Sequence, residues 1–156
     1  MLALAPAKLL HSTRRDDIAY ALARDVVAVH RPITDSDAPR HDARSVTITP
    51  ARDVPTGAGV VVGPVYRREA GGGLVIPTGA VLVRFADGDR AEQHRDEVAA
   101  AGFEIEQVLA YAPQAARVRA RSAGIIDALR GLMRLEQLPG VDNVEPQLLS
   151  EAARRD

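Results

Sequence analysis

The 156 residues contain no cysteine and no tryptophan, and only five aromatic residues, two Phe and three Tyr. Without cysteine there is no disulfide, no thiolate metal site and no cysteine nucleophile. With few rings, the apolar quota is met by Ala, Val and Leu, which bury less area each, so a core thin for the chain length is expected. A thin core fits a domain that gains part of its stability from a partner. It fits equally well a GC-rich codon bias, since Lys8 is the single lysine beside many arginines. Excess charge of one sign is also missing: 20 Lys+Arg stand against 21 Asp+Glu, for a net charge of −1. A nucleic-acid binder carries a basic excess or a clustered basic face, so nucleic acid is not an expected partner.

Long apolar runs are absent too. The run Gly59-Val60-Val61-Val62-Gly63 falls far short of the roughly 20 residues that cross a bilayer, so no membrane is expected. Residues 1–8 place their positive charge after the apolar stretch, the reverse of a secretory leader. The chain as written is expected to stay in the cytoplasm, and to be secreted if it is a fragment of a larger precursor.

Signatures of catalysis are equally scarce. No serine sits in a Gly-x-Ser-x-Gly context. In Gly57-Ala58-Gly59-Val60-Val61-Val62-Gly63 the third glycine comes one residue late for a dinucleotide loop, and the run has the character of a strand. Gly71-Gly72-Gly73 lacks the Lys-Ser/Thr of a phosphate loop and is expected to be a linker. His11, His30, His41 and His94 show no metal-ligand spacing, and Asp87-Gly88-Asp89 lacks the remaining ligands of a calcium loop. No enzyme activity, metal or cofactor is expected.

The chain divides near the triple glycine. In residues 1–76, positions 14–23 are expected to form a short helix with Ile18, Ala19 and Leu22 on one face. Strands are expected over 25–29 and 45–49, the latter ended by Pro50, and an apolar run over 59–67 is interrupted by Pro64. Residues 32–44 are expected to be an exposed loop. This region is expected to be a small β-rich unit of open role.

Residues 77–149 are more legible. A strand over 80–85 presents Val81, Val83 and Phe85 on one face. Asp89, with Glu92 three residues on, is placed to cap a helix that ends at Gly102. A second strand starts at Phe103 and extends toward Leu109, and a turn covers 110–114. Ala116, Val118 and Ala120 then alternate with Arg117, Arg119 and Arg121 in a third strand, whose arginines make a solvated face. Ser122 is the candidate cap of a helix carrying Ile125, Ile126, Leu129, Leu132 and Met133 in one stripe, stopped by Leu138-Pro139-Gly140. A fourth strand covers 141–145, with Pro146 limiting its extension. The fold class expected is α+β: a ferredoxin-like split β-α-β-β-α-β half preceded by a small β-rich region, and followed by a tail over 150–156.

Three details go beyond that order: Val81-Leu82-Val83-Arg84-Phe85 followed by Asp87-Gly88, then Leu138-Pro139-Gly140-Val141, then Val141-Asp142-Asn143-Val144-Glu145-Pro146. With the segment 88–113 between them, they resemble the N-terminal propeptides of subtilisin-like serine proteases, the I9-type inhibitor domain. The resemblance covers roughly the second half of the chain. It implies a non-catalytic domain that binds a subtilisin-type protease, in cis or in trans, as inhibitor, folding chaperone or both. In that family an acidic residue after the final strand valine meets the N-termini of two protease helices, where the helix dipole favours an anion. Glu145 matches that position, and Gln147 stands where a second acid often follows. The chain beyond it, Gln147, Leu148, Leu149, Ser150, Glu151, Ala152 and Ala153, would then continue extended into the protease cleft as an added strand. The alternative from another class is a self-associating regulatory or scaffolding module. Oligomeric state is left open by the sequence.

Overall fold

The computed structural model describes residues 5–12, 17–32, 44–55, 57 and 59–150. It is a mixed α+β structure dominated by antiparallel sheets. The elements in order are β1 (Lys8–Ser12), β2 (Asp17–Leu22), β3 (Val26–Pro32), β4 (Arg44–Pro50), β5 (Val61–Gly63), β6 (Tyr66–Arg68) and β7 (Leu74–Phe85), then α1 (Arg95–Ala100), β8 (Phe103–Leu109), β9 (Ala112–Ala120), α2 (Ile125–Arg130), α3 (Leu132–Glu136) and β10 (Val141–Ser150). No helix among the described residues is long and apolar enough to cross a membrane.

β7 is the hub. Its C-terminal half pairs with β9, which pairs with β8, while β10 runs along its other edge. The local order is thus β10-β7-β9-β8, every pair antiparallel. The N-terminal end of β7 pairs with β6, and β2 and β1 continue the sheet beyond it. The division expected at 76/77 therefore falls inside one continuous strand. Strands β4-β3-β5 form a separate sheet; its Ala28, with Val46 and Ile48, joins a small cluster with Val65 and Ile76. The expected loop over 32–44 lies almost wholly outside the described residues.

The main core lies between the sheet and the helices. Val81, Val83 and Phe85 of β7, Ala116 and Val118 of β9 and Val144 of β10 all face Val98, Leu129, Leu132 and Leu135. Full burial of one such Val or Leu contributes about 1.5–3 kcal/mol. Tyr66 joins this core from the first half of the chain, fully buried, and its hydroxyl donates to the Pro6 carbonyl at 2.6 Å.

Several expectations are corrected. Residues 17–22 form strand β2, not a helix. The Ile18, Ala19 and Leu22 spacing suits a helix face, but Ile18, Tyr20 and Leu22 also alternate, and pairing with β1 and β6 selects the strand. The first helix is not capped by Asp89 and Glu92: a 3-10 turn over Ala91–His94 comes first, with Arg90 N–H donating to Gln93 Oε1 at 3.4 Å. Glu92 instead pairs with Arg95 at 2.7 Å, and Asp89 with His94 at 3.3 Å. Gly102 does end the helix, at φ +91, a conformation costly for any residue with a Cβ. Ser122 does not cap the second helix: Gly124 holds that position, and the Ser122 hydroxyl donates to Asp127 at 2.6 Å. That helix is broken at Gly131 into α2 and α3, and Met133 of its expected stripe is exposed. The turn between β8 and β9 is only Ala110-Tyr111. Finally, β10 does not stop before Pro146 but runs on to Ser150. β10 pairs with β7 alone among the described strands, and an edge strand tolerates the missing N–H.

Candidate functional site

Strand alternation gives the central sheet two unlike faces. One is sealed by the helices. On the other, Leu82 of β7 stands directly between Arg117 of β9 and Glu145 of β10, a row of three side chains across three strands. Glu106 of β8 reaches both neighbouring arginines: its carboxylate lies 3.1 Å from Arg117 Nε and 2.9 Å from Arg119 Nε. The arginine face expected from the sequence is thus largely occupied by its own sheet, and Arg121 lies past the end of β9. These pairs are partly exposed, so each is worth little, up to about 1 kcal/mol.

This row is the floor of a groove. Ile18 and Tyr20 of β2 stand on one side, and Leu109 and Tyr111 at the β8–β9 turn on the other, around a volume of about 520 Å³. Tyr111 is 85% exposed, a whole aromatic ring presented to solvent beside an apolar groove. Gln147 and Leu148 also line it. The groove combines apolar walls with a few polar groups, the composition common to ligand-binding and recognition sites. Among the described residues, no group of three or more His, Cys, Asp or Glu side chains is placed to hold a metal ion.

The structure thus brings together three of the residues singled out from the sequence: Glu145, Gln147 and Leu148. Leu149 turns the other way, against the small cluster of Ala28, Val65 and Ile76. Ser150 is exposed at the end of β10, and Glu151, Ala152 and Ala153 lie outside the described residues. Leu148, Leu149 and Ser150 are extended, but they pair with Pro77, Ile76 and Val75 of β7. Sequence reasoning missed Leu82, Tyr20, Ile18 and Tyr111 as parts of one surface. For Leu82 the signal was present, since the residue between two core positions of a strand must face the opposite side. For Ile18 and Tyr20 it was hidden by the helical reading of 14–23.

One polar cluster lies apart from the groove. His94 stacks on Phe85 with ring centroids 4.0 Å apart and an interplanar angle of 6°. Its Nδ1 is 2.7 Å from Glu97 Oε2 and its Nε2 3.3 Å from Asp89 Oδ2. Burial works to lower its pKa, but the hydrogen bonds to Glu97 and Asp89 and their negative charges raise it overall above its ordinary value. The cluster ties the start of α1 to the loop after β7, a structural task. No protein-family model, curated protein or solved structure matches this chain.

Proposed function

We propose that this chain is a non-catalytic, propeptide-like module that binds a subtilisin-type serine protease as an inhibitor, a folding chaperone or both. In this reading β7-α1-β8-β9-α2/α3-β10 is a ferredoxin-like split β-α-β-β-α-β unit. The antiparallel order β10-β7-β9-β8 supports it, with α1 joining β7 to β8 and the α2–α3 pair joining β9 to β10. The observation that carries the reading is the position of Glu145. It lies on the sheet face opposite the helices, in the central row beside Leu82, at the strand that leads toward the C-terminal segment. On this face Glu106 is engaged by Arg117 and Arg119, while Glu145 stands beside apolar Leu82 and the groove walls, a placement suited to packing on surface helices whose N-termini favour an anion.

Chaperoning and inhibition would then share one contact. A partner that binds the folded protease stabilises it by mass action, and an extended segment in the cleft competes with substrate.

The test is inhibition of a panel of subtilisin-like proteases by the full chain, by Glu145→Ala, and by a chain ending at Ser150. Cutting after Glu145 would be misleading, because Leu148 and Leu149 pack against the two apolar clusters. We expect inhibition by the full chain and its loss on removal of 151–156. Glu145→Ala should weaken it by about 1 kcal/mol, roughly fivefold. Failure of the full chain to inhibit any member, together with self-association in solution, would refute the proposal in favour of the scaffolding alternative.

A further inference from the structure

We propose that residues 148–150 are a detachable latch, hinged at Gln147, which must leave β7 before the segment can pair with a partner strand. The identity of that partner rests on the protease-binding reading; the latch itself does not.

The pairing between β7 and β10 falls into two blocks. In the first, residues from Val141 to Pro146 lie opposite Phe85 to Val81; in the second, Leu148, Leu149 and Ser150 lie opposite Pro77, Ile76 and Val75. Between the blocks, Thr78, Gly79 and Ala80 of β7 face Gln147 alone. Pro77 and Pro146 flank this bulge, and neither has an N–H to give to the ladder. Gly79 adopts φ +94, a turn-like conformation that interrupts a regular strand. The gap is spanned at the surface by the Thr78 hydroxyl donating to Gln147 Oε1 at 3.3 Å. An exposed bond of that kind contributes little, so the two blocks are weakly coupled.

The blocks are also anchored unequally. The first lies under the helices: Val144 is 5% exposed and α3 packs against β10. The second carries no fully buried side chain: it pairs with Val75 to Pro77 and sets two half-buried leucines, Leu148 on the main cluster and Leu149 on the small one. Its release withdraws Leu148 and Leu149 from the margins of the two clusters but leaves the buried residues of the main core in place. It frees residues 147–150, four residues that reach about 13 Å when extended, and bares the edge of β7 at 75–77. It also withdraws Leu148 from the groove, so release and groove shape change together. In the latched state the same residues are already committed to a strand, so a partner edge has to compete for them.

Hydrogen exchange on the full chain tests the hinge without any mutation. The amides of 148–150 are expected to exchange at least about tenfold faster than those of 143–145, as a separately opening unit does. Equal protection of both blocks would overturn the latch. A second measurement uses the double variant Val75→Cys with Ser150→Cys. These residues are directly opposed, a geometry of roughly 4.5–5.5 Å between Cα atoms that a disulfide spans, and no native cysteine competes. Oxidation should slow exchange at 148–150 to the level of 143–145. It should also weaken protease inhibition at least about tenfold relative to the same variant reduced. Equal inhibition by the two redox forms would refute the gating role. If neither form inhibits any protease, the protease reading fails, and the exchange rates by themselves decide whether the latch exists.

Discussion

Replacing Gly131 by alanine should destabilise the fold, although glycine between two helical segments is ordinarily a poor choice. A Cβ at 131 would lie 2.6 Å from Cε1 and 2.8 Å from Cζ of Phe103, and 3.0 Å from Nη2 of Arg134. Arg134 is exposed and can swing aside. The Phe103 ring cannot, being fully buried in the main cluster. The backbone at Gly131, φ −91 and ψ −2, suits any residue, so the conflict is one of packing and not of backbone strain. Overpacking a filled core costs about 1–3 kcal/mol, and two ring carbons inside 3 Å place this case toward the upper end. Helix propensity returns up to about 1 kcal/mol, leaving a net loss of about 1–2 kcal/mol. For a chain of this size that lowers Tm by about 3–6 °C. Urea titration and thermal melting followed by far-UV circular dichroism read both quantities. The cycle with Phe103→Leu isolates the cause: with the ring shortened, Gly131→Ala should cost less than about 0.5 kcal/mol. A neutral or stabilised Gly131→Ala in the native background would refute the claim that the Phe103 ring leaves no room for a Cβ at 131.

Other predictions follow from the buried polar groups. His94 has a pKa raised in the folded state, so its contribution is fully present below the unfolded value near 6.5 and is lost as pH rises through the folded value. Urea midpoints should therefore fall from acid toward mildly alkaline pH in the native chain, and less steeply in His94→Gln; identical slopes would contradict the assignment. Burial pushes the Tyr66 phenol up to about 12, so its ultraviolet ionisation step should appear well above the ordinary phenol value near 10. Stability linked to Tyr66 is complete below about pH 10 and declines as pH rises toward 12. Tyr66→Phe should cost about 1 kcal/mol through the lost bond to the Pro6 carbonyl, measured by the same urea titration; an unchanged midpoint would count against that bond.

Much of the second half was legible because its signals are local. Val81, Val83 and Phe85 recur at every second position, as do Ala116, Val118 and Ala120, and period-two burial requires nothing beyond the strand itself. The position of Gly102 after an apolar-faced helix was equally plain, since that conformation depends on the residue's own Cβ. The 14–23 segment failed for the opposite reason. Its apolar spacing satisfies both periods, and only the neighbours β1 and β6 decide between them. The need for glycine at 131 was invisible because its cause, the ring of Phe103, is 28 residues away in sequence (131 − 103) and approaches it only after folding.

The sequence by itself determined that no disulfide or thiolate site forms, where most of the later strands and helices lie, and that Glu145 sits on a strand face away from Val144. These depend on residue type and on short-range periodicity, which the chain carries wherever it is. The tertiary structure decided that β10 continues through Pro146, that β2 joins the main sheet, and that Ile18, Leu82, Tyr111 and Glu145 surround one groove. It also decided that Leu148 and Leu149 pack against different clusters. Those outcomes depend on which edges and faces meet across long sequence separations, and a segment carries no record of the neighbours it will meet.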